Sequence, residues 1–213
     1  MKFLITAGPT REPIDPVRYI SNRSSGKMGY AIAEAARDAG HEVVLVSGPV
    51  CLAPLRGVHL VRVTTADEMY DAVHAHLEGV DIAVLAAAVA DFKPEAPAPR
   101  KLKKHEGAPR IVLVPTRDIL ASLGAIVTRK FFLAGFAAET ENLAAYAQKK
   151  LREKRCDAII ANDVSAPGLG FDSEENEAVI FYPDQTSRNF PRSPKRDLAR
   201  ELVNILCERR EKR

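Results

Sequence analysis

KFLITAG at 2–8, KMGYAIAEAARDAG at 27–40 and EVVLVSG at 42–48 follow one another as strand, helix and strand. The middle segment carries Ala31, Ile32, Ala35, Ala36 and Ala39 on one stripe of 3.6-residue period, and Gly40 closes it. The flanking runs are continuous in Val, Leu and Ile, as expected of parallel strands covered on both faces. The unit recurs outward. VRVTT at 61–65, a helix opened by the capping box Thr65-Ala66-Asp67-Glu68, and DIAVLAAA at 81–88 make a second. RIVLV at 110–114, helices near 118–128 and 141–155, FFLAGFA at 131–137 and DAIIAN at 157–162 continue it. Such alternation predicts an α/β fold: a doubly wound, Rossmann-like, mainly parallel sheet. NEAVIFY at 176–182 and TSRNF at 186–190 flank Pro183-Asp184-Gln185 as a C-terminal antiparallel hairpin, and Ser193-Pro194 is expected to open a last helix, with Ser at N-cap and Pro at N1.

The 213 residues are 46% hydrophobic and 28% charged, which excludes a disordered or collagen-like chain. No linker or internal repeat divides them, so one domain is expected over 1–213. Lys+Arg 31 against Asp+Glu 28 leaves a charge of +3, too small an excess to predict a nucleic-acid or membrane surface. No apolar run approaches the roughly 18 residues of a membrane span. Cys51, Cys156 and Cys207 lie far apart without a CxxC pair or a zinc-like His spacing, and His74 and His76 are two apart on a helix, so they point to different faces. With no N-terminal signal-like segment, a reducing cytoplasm is the expected compartment.

Two stretches exceed the ~2 to 6 residues of ordinary βα loops and are where chemistry is expected. The first, GPTREPIDPVRYISNRSSGKMG at 8–29, is neither a GxGxxG nucleotide turn nor a P-loop, because Ser21 and Met28 stand where a P-loop needs Gly and Ser or Thr. Ser24, Ser25 and Gly26 at a helix start can present hydroxyls and backbone N–H groups to an anion; an N-cap alone would explain the serines equally well. Arg11, Arg18, Arg23 and Asn22 crowd the same loop, which Pro9, Pro13 and Pro16 stiffen. The second, KPEAPAPRKLKKHEGAP at 93–109, holds four prolines and four lysines and follows a strand's carboxyl end. It reads as a basic flap over an anionic nucleotide or as a solvated charge run. Lys150 and Lys154, i and i+4 on one helix face, add two cations.

Taken together, ITAGPTREPIDPVRYISNRSSGKMG at 5–29, LVSGP at 45–49, AAAVADF at 86–92, KLKK at 101–104, GFAAET at 135–140 and ANDVS at 161–165 closely resemble the phosphopantothenate–cysteine ligases (phosphopantothenoylcysteine synthetases) of the bacterial CTP-using type. In many relatives this domain is fused behind a flavin-dependent decarboxylase. Here Met1 directly precedes the first strand, so the chain resembles a stand-alone ligase with the decarboxylase as a separate partner.

The resemblance implies that 4'-phosphopantothenate and L-cysteine are joined through an acyl cytidylate, with CTP as co-substrate and Mg²⁺ as cofactor. It assigns Asn22 and Lys101 catalytic roles, Asn22 as an amide donor to the acyl oxygen. It places Arg18, Asn22, Ser24, Ser25 and Gly26 on the acid. Ala87, Ala88, Asp91, Lys101, Thr116, Arg117, Asp118, Ile119, Phe136, Lys150 and Lys154 fall on the nucleotide, with Arg117 standing where relatives commonly carry proline. A homodimer is implied, and the metal ligands are not identified. Two other classes compete on the residues alone: an NADP-dependent reductase of wound-sheet fold and a nucleic-acid-binding module. No aromatic-rich sheet motif or recognition helix supports the second.

Overall fold

The computed structural model describes residues 1–103, 110–139, 142–163 and 173–213. Its main sheet contains β1 (Lys2–Ala7), β4 (Glu42–Ser47), β5 (His59–Arg62), β6 (Ile82–Leu85), β9 (Phe132–Glu139), β10 (Ala158–Asp163), β11 (Glu175–Phe181) and β12 (Ser187–Pro194), in the order β12-β11-β10-β9-β6-β1-β4-β5. The six strands from β10 to β5 are parallel, and β11 and β12 run antiparallel at one edge. The mainly parallel wound sheet and its C-terminal hairpin match the sequence expectation.

Helices cover both faces because the strands are apolar on both. α1 (Lys27–Asp38) and α5 (Lys195–Glu211) pack on one side, where Ile32, Ala36, Leu198, Leu202 and Leu206 are buried with Phe3, Ile5 and Leu45. α2 (Ala66–Ala75), α3 (Ile119–Gly124) and α4 (Leu143–Lys154) cover the other, over Leu4, Val44, Ala83, Leu133 and Ile159. The capping box of α2 forms as expected: Glu68 N–H donates to Thr65 Oγ1 at 3.2 Å and Thr65 N–H to Glu68 Oε2 at 3.3 Å. Since β4 lies on one side of β1 and β6 on the other, the strand order reverses at β1, leaving a crevice at the carboxyl ends where wound sheets bind ligands.

Several expected elements are displaced, each for a physical reason. The strand expected at 61–65 is β5, which ends at Arg62: Thr64 O is taken by Arg11 N–H at 2.7 Å and Thr65 turns out to cap α2. The run at 110–114 does not join the main sheet. Its end forms β8 (Leu113–Pro115), paired with β7 (Phe92–Pro94) in a separate ribbon, and Val112 and Leu113 are 61% and 47% exposed. The helix near 118–128 is only the six residues of α3, capped by Asp118. The opening of α5 is shifted by one residue: edge strand β12 continues through Ser193 and Pro194, opposite Asn176 and Glu175, so Pro194 rather than Ser193 stands at the N-cap, and proline's missing N–H costs nothing at an edge. The first long loop also contains a hairpin, β2 (Arg11–Pro13) with β3 (Tyr19–Ser21).

Candidate functional site

The first loop and the end of β1 are held to the end of β6 by hydrogen bonds to backbone groups of residues 87–90. Ala87 N–H donates to Thr6 Oγ1 at 3.1 Å, Ala88 N–H to Gly8 O at 2.9 Å and Ala90 N–H to Thr10 Oγ1 at 3.0 Å. The loop's own carboxylates are spent inward. Glu12, 1% exposed, accepts from Ala66 N–H at the start of α2. Asp15, 3% exposed, accepts from the backbone N–H groups of Val17, Arg18 and Leu102 and pairs with the Arg18 guanidinium. That guanidinium, working against burial, holds the Asp15 carboxyl far below the usual carboxylate range, with the three N–H donors helping.

Two cavities of about 420 Å³ each open at the switch point. The first is lined by Asn22, Ser24, Ser25, Gly26, Ala87, Ala88 and Phe136, together with Lys27, Asn162, Asn176 and Lys195. Gly26, at φ +79, turns the chain into α1; a Cβ there would lie 2.7 Å from Val50 Cγ1 and 3.3 Å from Gly8 Cα, so only glycine fits the bend. No side chain caps α1, so the serines are not its N-cap, and Ser24 Oγ instead accepts from Gly26 N–H at 3.3 Å. The second cavity is lined by Ala87, Ala88, Asp91, Thr116, Arg117, Asp118, Ile119, Phe136, Lys150 and Lys154. Ala87, Ala88 and Phe136 therefore form the shared partition.

Asn22 stands at this partition. Its Nδ2 donates to Ala88 O and Val89 O, both at 3.1 Å, and its Oδ1 has no partner among the described residues. The expected donation to an acyl oxygen would require the amide to release one of these carbonyls. Across the partition, Asp118 accepts from Lys154 Nζ at 2.7 Å and from Ala121 N–H at 2.8 Å. Burial raises its pKa, but the Lys154 ammonium and this N–H outweigh it and hold the carboxyl below its ordinary value. Asp118 in turn raises the pKa of Lys154. Arg117 is braced by Asp67 at 3.0 Å and Asp71 at 2.8 Å and lies 4.0 Å over the Tyr70 ring. Thr116 Oγ1 donates to Ala90 O at 2.6 Å.

Two expectations meet a different geometry. Arg18 lines neither cavity; besides pairing with Asp15, it donates to Leu102 O at 2.9 Å, so it ties the second loop to the first. Lys101 is exposed and lines neither cavity. Residues 104–109 of the expected flap, with Lys104 and His105, lie outside the described residues. Asn162, Asn176 and Lys195 were missed because they arrive on β10, β11 and α5, far along the chain; only the ANDVS motif touched one of them. Among the described residues no cluster of three or more His, Cys, Asp or Glu could hold a metal, and no cysteine or histidine lines either cavity. No helix is long and apolar enough to cross a membrane. At Gly48, just past β4, a Cβ would lie 1.8 Å from Pro9 O, so the first loop packs directly against the end of that strand.

A wound, mainly parallel sheet with two cavities at its switch point, one rimmed by a helix start and one by lysines, is an α/β protein with its cavities where wound sheets bind ligands. The chain belongs to the family described as DNA/pantothenate metabolism flavoprotein C-terminal domain, whose model matches residues 1–209. It is 48% identical over 203 residues to the coenzyme A biosynthesis bifunctional protein CoaBC of Vibrio vulnificus, covering 94% of this chain and 50% of that one. The Bacillus subtilis protein of the same name is 45% identical over 205 residues, covering 96% and 50%. The chain thus spans about half the length of the curated relatives it matches. The crystal structure of a CoaBC C-terminal domain superposes with a TM-score of 0.83 at 43% identity, covering 100% of this chain and 98% of that one.

Proposed function

We propose that the chain is a phosphopantothenate–cysteine ligase acting in the cytoplasm on 4'-phosphopantothenate, L-cysteine and CTP. The observation that carries this reading is the pair of cavities meeting at Ala87, Ala88 and Phe136, since a two-step acyl activation needs an acid and a nucleotide held end to end. The acid occupies the cavity at the start of α1, and its carboxylate reaches the partition. The nucleotide occupies the other, its phosphates toward Lys150 and Lys154. The carboxylate attacks the α-phosphate and pyrophosphate leaves; the cysteine amine then attacks the acyl carbon and CMP leaves. Charge building on the phosphates is offset by the two lysines, a transfer that relies on positioning and electrostatics. Asn22 lines the acid cavity and braces the partition through Ala88 and Val89, and its oxygen, without a partner among the described residues, suits an acceptor for the incoming amine.

Mg²⁺ fits as an ion carried mainly by the triphosphate, because among the described residues Asp91 and Asp118 are the only carboxylates lining that cavity and Asp118 is already engaged by Lys154. When bound, it would supply further charge neutralisation beside Asp91. Lys101 acts only if the second loop closes over the nucleotide. The relatives' description as bifunctional supports a decarboxylase working beside this chain, and a homodimer completes the proposal. Pyrophosphate release with CTP or ATP and phosphopantothenate, with and without cysteine, tests it. Release should require phosphopantothenate and favour CTP; no release with either nucleotide, or equal turnover with both, would refute the ligase or its CTP preference respectively.

A further inference from the structure

The ribbon of β7 and β8 stands outside the main sheet, yet its base supplies part of the second cavity's wall: Asp91 just before β7, and Thr116, Arg117 and Asp118 just after β8. The two strands are joined there by Thr116 N–H on Asp91 O at 2.9 Å and Thr116 Oγ1 on Ala90 O at 2.6 Å. One carboxylate outside the cavity grips both of them. Asp67, in the first turn of α2, pairs with Lys93 Nζ from β7 and, at 3.0 Å, with Arg117 Nε from beyond β8. Its backbone carbonyl accepts from Arg117 Nη2 at 3.0 Å, Asp71 one turn on takes Nη1 at 2.8 Å, and the guanidinium lies 4.0 Å over the Tyr70 ring. The turn that carries Asp67 is itself fixed, because Ala66 and Met69 are fully buried and Ala66 N–H donates to the Glu12 carboxylate. The Lys93 ammonium, opposed by burial and helped by Arg117, holds the Asp67 carboxyl below its ordinary value, so it is charged at neutral pH.

We propose that Asp67 is a positioning residue of the ligase: from behind the site it locks both strands at the base of the ribbon, holds Arg117 and its neighbours in the cavity wall, and so sets the affinity for the nucleotide. The assignment rests on the ligase reading and adds to it a residue outside the substrate contacts, since neither Asp67 nor Lys93 lines either cavity. Magnitudes favour positioning over stability. The side chains of Lys93, Asp67 and Arg117 are 32%, 37% and 43% exposed, and ion pairs so open to water contribute little to folding. An arginine tied at all three nitrogens and stacked on a ring nevertheless keeps little rotamer freedom, so a network of small energy still fixes a direction. The lock acts on the second loop as well, because that loop leaves the ribbon at Pro94 and rejoins it at Leu113.

Steady-state kinetics and trypsin test this on the full chain. Asp67→Asn should raise KM for CTP about three- to tenfold, the combined worth of two exposed charge pairs. Its kcat and its KM for phosphopantothenate should stay within about twofold of wild type and its melting temperature within about 3 °C. Asp67→Glu should recover part of the CTP affinity. Placed on top of Lys93→Met and Arg117→Gln together, Asp67→Asn should add less than about twofold, because its partners are already gone. An unchanged KM for CTP in Asp67→Asn, a full further penalty in the triple variant, or a loss confined to kcat and melting temperature, as a merely structural role would give, overturns the assignment. Unliganded Asp67→Asn should also be cut after Arg100, Lys101 or Lys103 about three- to tenfold faster than wild type; an equal rate overturns it too. Wild-type protein that releases no pyrophosphate with CTP, phosphopantothenate and cysteine would refute the ligase reading, while the trypsin rates and the CTP dissociation constants measured by calorimetry still decide the lock.

Discussion

The two long loops are similarly rich in proline, and the structure treats them in opposite ways. In the first, Thr10, Glu12 and Asp15 are 0%, 1% and 3% exposed, and each satisfies N–H groups elsewhere: on the β6 end, on α2 and on the second loop. In the second, Lys101 and Lys103 are exposed, and the segment hangs from the first loop by Ala98 N–H on Ile14 O and by Leu102 between Asp15 and Arg18. Proline limits backbone choice in both, but only inward-facing polar side chains turn a loop into a wall of the site. Preorganisation therefore resides in the first loop, and the second depends on it.

The sharpest way to break this comparison is at Asn22, where the first loop reaches the partition. Asn22→Asp would set a carboxylate oxygen against the carbonyls of Ala88 and Val89, and ligation turnover should fall about 100- to 1,000-fold, the scale of losing one well-placed polar group in an acyl-transfer site. Quenched reactions followed by mass spectrometry should show the cytidylate still forming and then stalling. A rate within tenfold of wild type would remove the partition from the chemistry.

Next in size, Gly26→Ala should destabilise the chain by about 2 to 4 kcal/mol, combining a left-handed backbone for a non-glycine residue with overpacking against Val50. A urea unfolding midpoint within error of wild type would show that the first loop is not part of the cooperative fold.

The dependence of the second loop on the first is read by trypsin. Cleavage after Arg100, Lys101 or Lys103 should be about tenfold faster than after Arg11, Arg18 or Arg23, because backbone hydrogen bonds hold the first loop and opening them costs about 1.4 kcal/mol per factor of ten. CTP, Mg²⁺ and phosphopantothenate together should slow the cutting, and Asp15→Asn should speed it. The sign of the pH effect follows from the depressed Asp15 carboxyl: its contribution is complete above the unfolded value of about 4 and is lost as pH falls toward its folded value. The difference in melting temperature between wild type and Asp15→Asn should therefore be flat near neutrality and close in acid. Preferential cutting in the first loop would reverse the comparison.

The smallest effect is expected at the Lys154–Asp118 pair, whose side chains are 27% and 47% exposed. Lys154→Met should cost less than about 1 kcal/mol of stability, and less still at high salt, yet weaken CTP binding about tenfold through the lost phosphate contact. A stability loss larger than the binding loss would make Lys154 a structural residue.

Much of this was legible in the residues. Continuous Val and Ile runs, the alanine stripe of α1 and the capping box of α2 are local patterns, and they appear as written. The residues from Ala87 to Ala88, Thr116 to Ile119, Phe136, Lys150 and Lys154 do assemble at one cavity, and Asn22 with Ser24 to Gly26 at another. RIVLV misled because an apolar run says nothing about its partner: its end paired with Phe92–Pro94 in a separate ribbon. Arg18 and Lys101 lie outside both cavities, a placement the sequence does not record, because a cation's charge is visible in sequence while its nearest carboxylate or its distance from the crevice is not.

The sequence by itself determined the elements, their alternation and the motif blocks of the family, since these depend on spacings of a few residues. Tertiary structure alone decided that Asp15 consumes Arg18, that Glu12 caps a helix 54 positions away, and that Asn176 and Lys195 close a cavity opened by residues 24–26. Hydrogen bonds and buried charges are formed by proximity in space, and in a wound sheet neighbours in space come from crossovers that no local pattern records.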